Sequence, residues 1–481
     1  MIEALLYLPF AAAVAALVLP WERARPWLVP LGALGHLTLT CLVVPGETQR
    51  SAGGWLVLDP LGKLVLATVS CVFSVASLYV PGYVRHYHHR RNRFFVAAML
   101  GLLTALTLVV LAHHLGLMWV AIEASALATA PLLLFNRNPR SLEATWKYLL
   151  LSSVGVALAL LGSFFLAHAS LLSGHPSTLL FEDLMAVAPT MPAAWLHAAL
   201  AFLLLGYAGK MGLAPVHTWK PDAYGEAPGV VGMVLAGGTT SVAFLAVLRV
   251  VRIAEAGGQG AHVRDVLVAL GLGSMAVGAA FMLRQRDLKR MLAYSSVEHM
   301  GVLALAAGVG GPRAHLGALL YMVGNAASKG VLFLAAANIH RTYGSKQVVA
   351  LRGVLHRMPL SGSLFLAGFF AATGSPPFLS FAALLVIGGA LVAEQRWILA
   401  TSLLVLLFAA FLGMAGTVLG VVQGRDPGQQ AQAADPVPRE PLWSVLPIVL
   451  LAVAMVGLGL WLPQPLDDLL HAAVAVLEVR P

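Results

Sequence analysis

Leu205-Gly206-Tyr207-Ala208-Gly209-Lys210-Met211-Gly212-Leu213-Ala214-Pro215-Val216-His217-Thr218-Trp219-Lys220-Pro221-Asp222-Ala223-Tyr224-Gly225-Glu226-Ala227-Pro228 decides how the rest of the chain is read. An apolar run of membrane-spanning type begins near Ala194 and carries Lys210 close to where Gly209, Gly212 and Pro215 interrupt it. A proline inside a helix removes a backbone hydrogen bond and clashes with the preceding turn. A broken helix at membrane depth is tolerated only where it is buried in protein or lines a wet cavity. A lysine beside such a break is a candidate ion site. The alternative is a simple kink, with Lys210 snorkelling to a headgroup.

Working outward, 59% of the 481 residues are hydrophobic and 11% are charged, against about 25% charged in a soluble domain. Mean hydropathy is +0.84. The composition therefore gives an all-α polytopic membrane protein. The net charge of +9 sits mostly in short loops, so it is not a nucleic-acid footprint. Met1-Ile2-Glu3 lacks a basic region and a small-residue cleavage site, so no removable signal peptide is expected. Two cysteines, Cys41 and Cys71, both inside apolar runs, exclude a four-cysteine iron–sulfur or zinc site within the chain and read as inert core residues.

About 20 apolar residues cross a bilayer as a helix. Fourteen candidates follow: 2–20, 27–45, 58–80, 94–112, 115–135, 146–171, 194–219 (broken), 229–251, 264–283, 291–311, 314–339, 360–393 (broken), 397–422 and 441–462. Positions 424–440 read as an exposed flexible loop, and 463–481 as a short tail on the surface. Lysine and arginine concentrate in the loops after spans 1, 3, 5, 7, 9, 11 and 13. The positive-inside rule places those loops in the cytoplasm and both termini outside. Arg85 to Arg93, the most basic segment, reads as a topology signal; the alternative is a docking patch for a cytoplasmic partner or anionic lipid.

The second interruption is Gly374-Ser375-Pro376-Pro377 in span 12, five spans after the Gly212/Pro215 break in span 7. Paired broken helices point to inverted repeats and to the transport site between them. The implied division is 1–93, a three-helix segment; 94–253, spans 4–8; 264–423, spans 9–13; and 424–481, a loop with span 14 and a tail.

A charge at mid-bilayer costs at least ~3 kcal/mol, so each one needs a reason. Glu123 lies in span 5, Lys210 at the span 7 break, Glu298 and His299 in span 10, and Lys329 in span 11, one turn after Asn325. His168 and His197 lie nearer span ends. Desolvation lowers a lysine's pKa and a carboxylate beside it raises it again. A Glu–Lys pair that forms and separates can thus pick up and release a proton, and histidine relays protons near neutrality. The same residues could also be static ion pairs that fix helix packing. Lys220, Asp222 and Glu226 follow the break and read as cytoplasmic capping and topology residues.

Lys210-Met211, Ala214-Pro215-Val216-His217-Thr218-Trp219, Pro221-Asp222-Ala223 and Glu226-Ala227-Pro228 closely resemble the signature of the antiporter-like proton-translocating subunits of complex I, Mrp-type antiporters and membrane-bound hydrogenases. Trp119 to Glu123, Asp287 to Ser296, Ser328-Lys329-Gly330 and Pro376-Pro377-Phe378 match in order, over about residues 55–420. Glu143 to Tyr148 and Glu298-His299-Met300 look most like group 4 nickel–iron hydrogenase and formate hydrogenlyase membrane subunits. The resemblance implies fourteen spans, inverted repeats, and proton movement by Glu123 and Lys210, with His299 and Lys329 in a second half-channel. It implies no cofactor or metal in this chain. The partners would be further membrane subunits, antiporter-like ones among them, and cytoplasmic redox or other driving subunits, in a bacterial or archaeal inner membrane. The sequence departs from the pattern where a span 8 lysine is usual, near Ser241. No charge follows the span 12 break until Glu394, and Tyr224 stands where histidine is usual. The expected function is a proton-translocating subunit. The alternatives are an Mrp-type sodium/proton antiporter subunit, a non-conducting structural subunit, or the coupling subunit of a non-redox transporter such as an inorganic-carbon uptake system.

Overall fold

Helix starts are written locally. Asn138 and Ser141 form a capping box around Pro139, Asp59 accepts from Gly62 N, and Asp287 accepts from the amides of Lys289 and Arg290. The computed structural model describes residues 1–87, 90–424 and 439–478. The 424–440 loop therefore lies almost wholly outside the described residues, as do His88 and His89 of the basic segment.

The order is α1 (Ile2–Val18), α2 (Leu28–Val43), α3 (Pro60–His86), α4 (Arg93–Leu111), α5 (Leu115–Leu133), α6 (Pro139–Leu172), the short α7 (Phe181–Val187), α8 (Ala193–Met211), α9 (Trp219–Glu226), α10 (Gly229–Val234) and α11 (Thr240–Ala256). Then come α12 (Gly260–Met282), α13 (Leu288–Val309), α14 (Gly311–Tyr343), the short α15 (Val354–Arg357), α16 (Pro359–Ala372), α17 (Leu379–Ala393), α18 (Trp397–Gln423), α19 (Leu442–Leu460) and α20 (Gln464–Glu478). A small antiparallel hairpin, Gln49–Ser51 with Leu56–Leu58, sits between α2 and α3.

Among the described residues twelve helices are long and apolar enough to cross a membrane. The 17-residue α1 and the broken pair α16–α17 complete the fourteen expected spans. Both interruptions fall where the sequence puts them. Helix α8 ends at Met211 with Gly212 at φ +85°, and α16 ends at Ala372 with Gly374 at φ +69°. Left-handed φ of this kind favours glycine. Cis peptide bonds precede Pro215 and Pro377.

Burial separates the centre from the lipid-facing rim. The α10–α11 span is wholly buried, whereas 28% of the most apolar stretch of α18 is. Packing repeats along the chain: α4 lies on α5 as α12 lies on α13, α5 on α6 as α13 on α14, and α6 on α8 as α14 on α16 and α17. Helix backbones meet where side chains vanish. A Cβ at Gly206 would stand 2.6 Å from the Gly155 carbonyl. Small residues serve membrane helices this way because lipid supplies no hydrophobic drive between them.

Two expectations are corrected here. Cys41 and Cys71 are exposed, not core; lipid is as apolar as a protein core, so an apolar neighbourhood does not say which way a side chain faces. Lys220 is wholly buried (0% exposed), not at a surface, because α9 turns back between α6 and α13. The tail does lie on the surface, as α20 packed on α3 and α14, with Glu478 2.6 Å from His315 Nδ1.

Candidate functional site

Ending α8 at Met211 frees backbone carbonyls that a continuous helix would have bonded. Trp219 Nε1 donates to the Gly209 carbonyl at 3.0 Å, and Lys220 Nζ donates to the Met211 carbonyl at 2.8 Å. The irregular segment is fixed from the other side, where Ala214 N donates to Ser274 Oγ of α12 at 2.8 Å.

Lys210 is buried and donates to Tyr148 OH at 3.2 Å and Ser152 Oγ at 3.1 Å, both on α6. Its Nζ lies 5.3 Å from the Tyr148 ring centre, and Trp219 packs edge-on against the same ring. Glu123 is half-buried on α5 and accepts from Ser153 Oγ at 2.6 Å. Its second oxygen has no protein partner. Neither residue appears among the described ion pairs within 4.0 Å, so consecutive serines of α6 stand at this junction, one holding each charge.

The second cluster lies on α13 and α14. Lys329 Nζ donates to Ser295 Oγ at 2.6 Å. Glu298 and His299 are both buried, with Oε2 and Nε2 3.6 Å apart, and His299 Nδ1 shares a hydrogen bond with Tyr321 OH at 2.8 Å. Asn325 does not join its helix neighbour Lys329. It turns toward span 8, with Nδ2 3.5 Å from the Ala236 carbonyl, inside a π-helical segment, Leu235–Thr239. Lys220 reaches toward the same cluster, its Nζ 3.4 Å from the Ser296 carbonyl.

The span 12 break is closed without charge: Ser380 Oγ donates to the Ala371 carbonyl. His168 and His197 are not brought to the axis; His168 packs edge-on against Trp195 and His197 bonds Gln259. Asp222 pairs with Lys147 at 3.1 Å and with Arg290, and Glu226 pairs with Lys346. Both acids are partly buried in ion pairs between elements, where the sequence alone reads them as capping and topology residues. Sequence reasoning singles out Glu123, Lys210, Glu298, His299 and Lys329 because each is a charge in an apolar run, and the structure buries the last four and half-buries Glu123. Sequence reasoning misses Tyr148, Ser152, Ser153 and Ser295, which carry no such contrast, and misplaces Lys220.

Residues 112–412 match the family described as "NADH:quinone oxidoreductase/Mrp antiporter, TM". The chain is 31% identical over 333 residues to the Hydrogenase-4 component F homolog of Methylacidiphilum infernorum, covering 68% of this chain and 70% of that protein. It is 29% identical over 494 residues to NADH-quinone oxidoreductase subunit N of Desulforudis audaxviator, covering 97% of each. A chain in the structure of the Mrp complex from Dietzia sp. superposes with a TM-score of 0.86 at 21% identity, over 99% of this chain and 97% of that one. The protein thus belongs to the NADH:quinone oxidoreductase/Mrp antiporter family of membrane subunits.

Proposed function

We propose that this chain moves protons across the membrane along its buried polar axis, as one subunit of a larger complex whose driving chemistry resides in partner subunits. The observation that carries this reading is how the two lysines expected on the path are held. Lys210 and Lys329 are deeply buried, and their side-chain partners are hydroxyls of Tyr148, Ser152 and Ser295. A lysine kept as a packing element calls for a closed ion pair, because a buried ammonium without a counter-charge is costly. Hydroxyls accept from an ammonium and donate to a neutral amine, so they suit a lysine that changes state.

In this reading Glu123 and Lys210 serve one half of the path, and Glu298, His299 and Lys329 the other. Residues 94–253 and 264–423 form the two inverted repeats, supported by their matched helix contacts. The basic loops face the cytoplasm and both termini face outward in a cell membrane. The relatives named hydrogenase and NADH-quinone oxidoreductase components favour a redox-driven complex with further membrane subunits. One observation favours a second reading, a subunit that spaces its neighbours without conducting: the neutral Ser380 closure at span 12.

The test is proton flux in liposomes holding the complex purified through a tag on this chain, with and without a sodium gradient. Lys210→Ala and Glu123→Gln that assemble and lose flux support the proposal. Normal flux in both moves the chain to the spacer reading, and flux that follows sodium moves it to antiport.

A further inference from the structure

Lys220 is the least expected residue in the bundle. It is 0% exposed and sits on α9, the half-helix that bridges α6 and α13. Its Nζ donates to the Met211 carbonyl at 2.8 Å, lies 3.4 Å from the Ser296 carbonyl, and is 5.7 Å from the Tyr224 ring centre. No carboxylate pairs with it among the described ion pairs within 4.0 Å. Met211 directly follows Lys210, and Ser296 directly follows Ser295, the residue that holds Lys329. Lys220 therefore touches the backbone next to Lys210 and the backbone next to Ser295, the partner of Lys329. Span 8, which lies between the two halves in sequence, supplies only Thr239, Thr240 and Ser241 at its π-helical step. The hydroxyls of Thr240 and Ser241 are bonded to their own helix, to the Ala236 and Gly237 carbonyls.

We propose that Lys220 is the proton station joining the two half-paths, and this rests on the proton-translocating function proposed above. A proton passing inward leaves Lys210 as the neutral amine and makes Lys220 the ammonium. The next transfer returns Lys220 to the amine and charges the Lys329–Glu298 cluster. No other reactant is consumed. The carbonyls of Met211 and Ser296 stabilise the charged state, and the lack of a paired carboxylate keeps that state from becoming permanent. Gly212 is part of the arrangement, since a Cβ there would stand 2.9 Å from Lys220 Nζ.

The competing role is a plain cap on the Met211 carbonyl. Two variants separate the roles in the tagged, reconstituted complex. Lys220→Gln keeps a neutral donor for the carbonyl but cannot titrate. Lys220→Arg keeps the donors and stays charged. Both are expected to assemble with the full set of subunits and to lose proton flux. Lys220→Gln with wild-type flux, in a preparation where Lys210→Ala is blocked, overturns the inference and leaves the proposed function standing. Failure of both variants to assemble also overturns it, assigning Lys220 to holding the break. A wild-type complex that moves no protons removes the proposed function and this inference together.

Discussion

Lys329 reaches from α14 to α13 and donates to the Ser295 hydroxyl at 2.6 Å, while Ser295 spends its own proton on the Leu292 carbonyl at 3.0 Å. The serine is thus oriented to accept from the ammonium, and it must release the Leu292 carbonyl to donate to a neutral amine. Ser295→Ala should leave a buried lysine without its side-chain partner, at a cost of about 1–3 kcal/mol. Lower thermal stability with reduced proton flux is the expected result. Unchanged flux in a folded Ser295→Ala complex would take Ser295 off the path.

The serine pair of α6 makes a second prediction. Ser152 holds Lys210 and Ser153 holds Glu123. Ser152→Ala and Ser153→Ala should each slow proton flux, and less than Lys210→Ala does, since Lys210 keeps Tyr148 as a partner. Rates in liposomes of equal protein content decide the ranking.

Trp219 tests the break as structure. Its indole N–H caps the Gly209 carbonyl, and phenylalanine keeps the ring contacts but not the donor. A buried carbonyl left unpaired costs on the order of 1–3 kcal/mol. Trp219→Phe should melt earlier in detergent while retaining flux; an unchanged melting curve would show that the carbonyl finds another donor.

A pH effect is expected away from the axis, in the segment between α4 and α5. His113 accepts from Arg249 at Nδ1 (3.2 Å), and its Nε2 lies 3.7 Å from Glu182. Burial first, and the Arg249 charge second, push its pKa down from 6.5 to about 4. The folded value is below the unfolded one, so the stabilising form is neutral imidazole. Its contribution is complete above about pH 6.5 and is lost as pH falls from there toward 4, a swing on the order of 1–3 kcal/mol. Melting temperature measured between pH 7.5 and 4.5 should fall less steeply in His113→Gln. Parallel curves would remove His113 as the cause.

The fold was legible because the bilayer makes span length, apolar runs and Gly/Pro interruptions into strong signals. Charges within those runs stood out for the same reason, which is why Glu123, Lys210, Glu298, His299 and Lys329 could be picked from sequence. Lys220 could not. It follows a break and sits among Thr218, Pro221 and Asp222, a composition shared by exposed loops. Only the return of α9 between α6 and α13 buries it. The partners of the buried charges were equally hidden, since Ser152, Ser153 and Ser295 resemble any other serine of a membrane helix. Cys41 and Cys71 show the converse: hydropathy reports the presence of lipid or core and not which of the two a side chain meets.

The closure of the second break carries a consequence for the resting state. Ser380 commits its single proton to the Ala371 carbonyl and is buried, so it can receive a proton only after surrendering the one it holds. Helix α17 beyond it offers no ionisable side chain before Glu394. On the proton-moving function proposed above, that end of the bundle acts as a resistor: passage there depends on Ser380 releasing the Ala371 carbonyl.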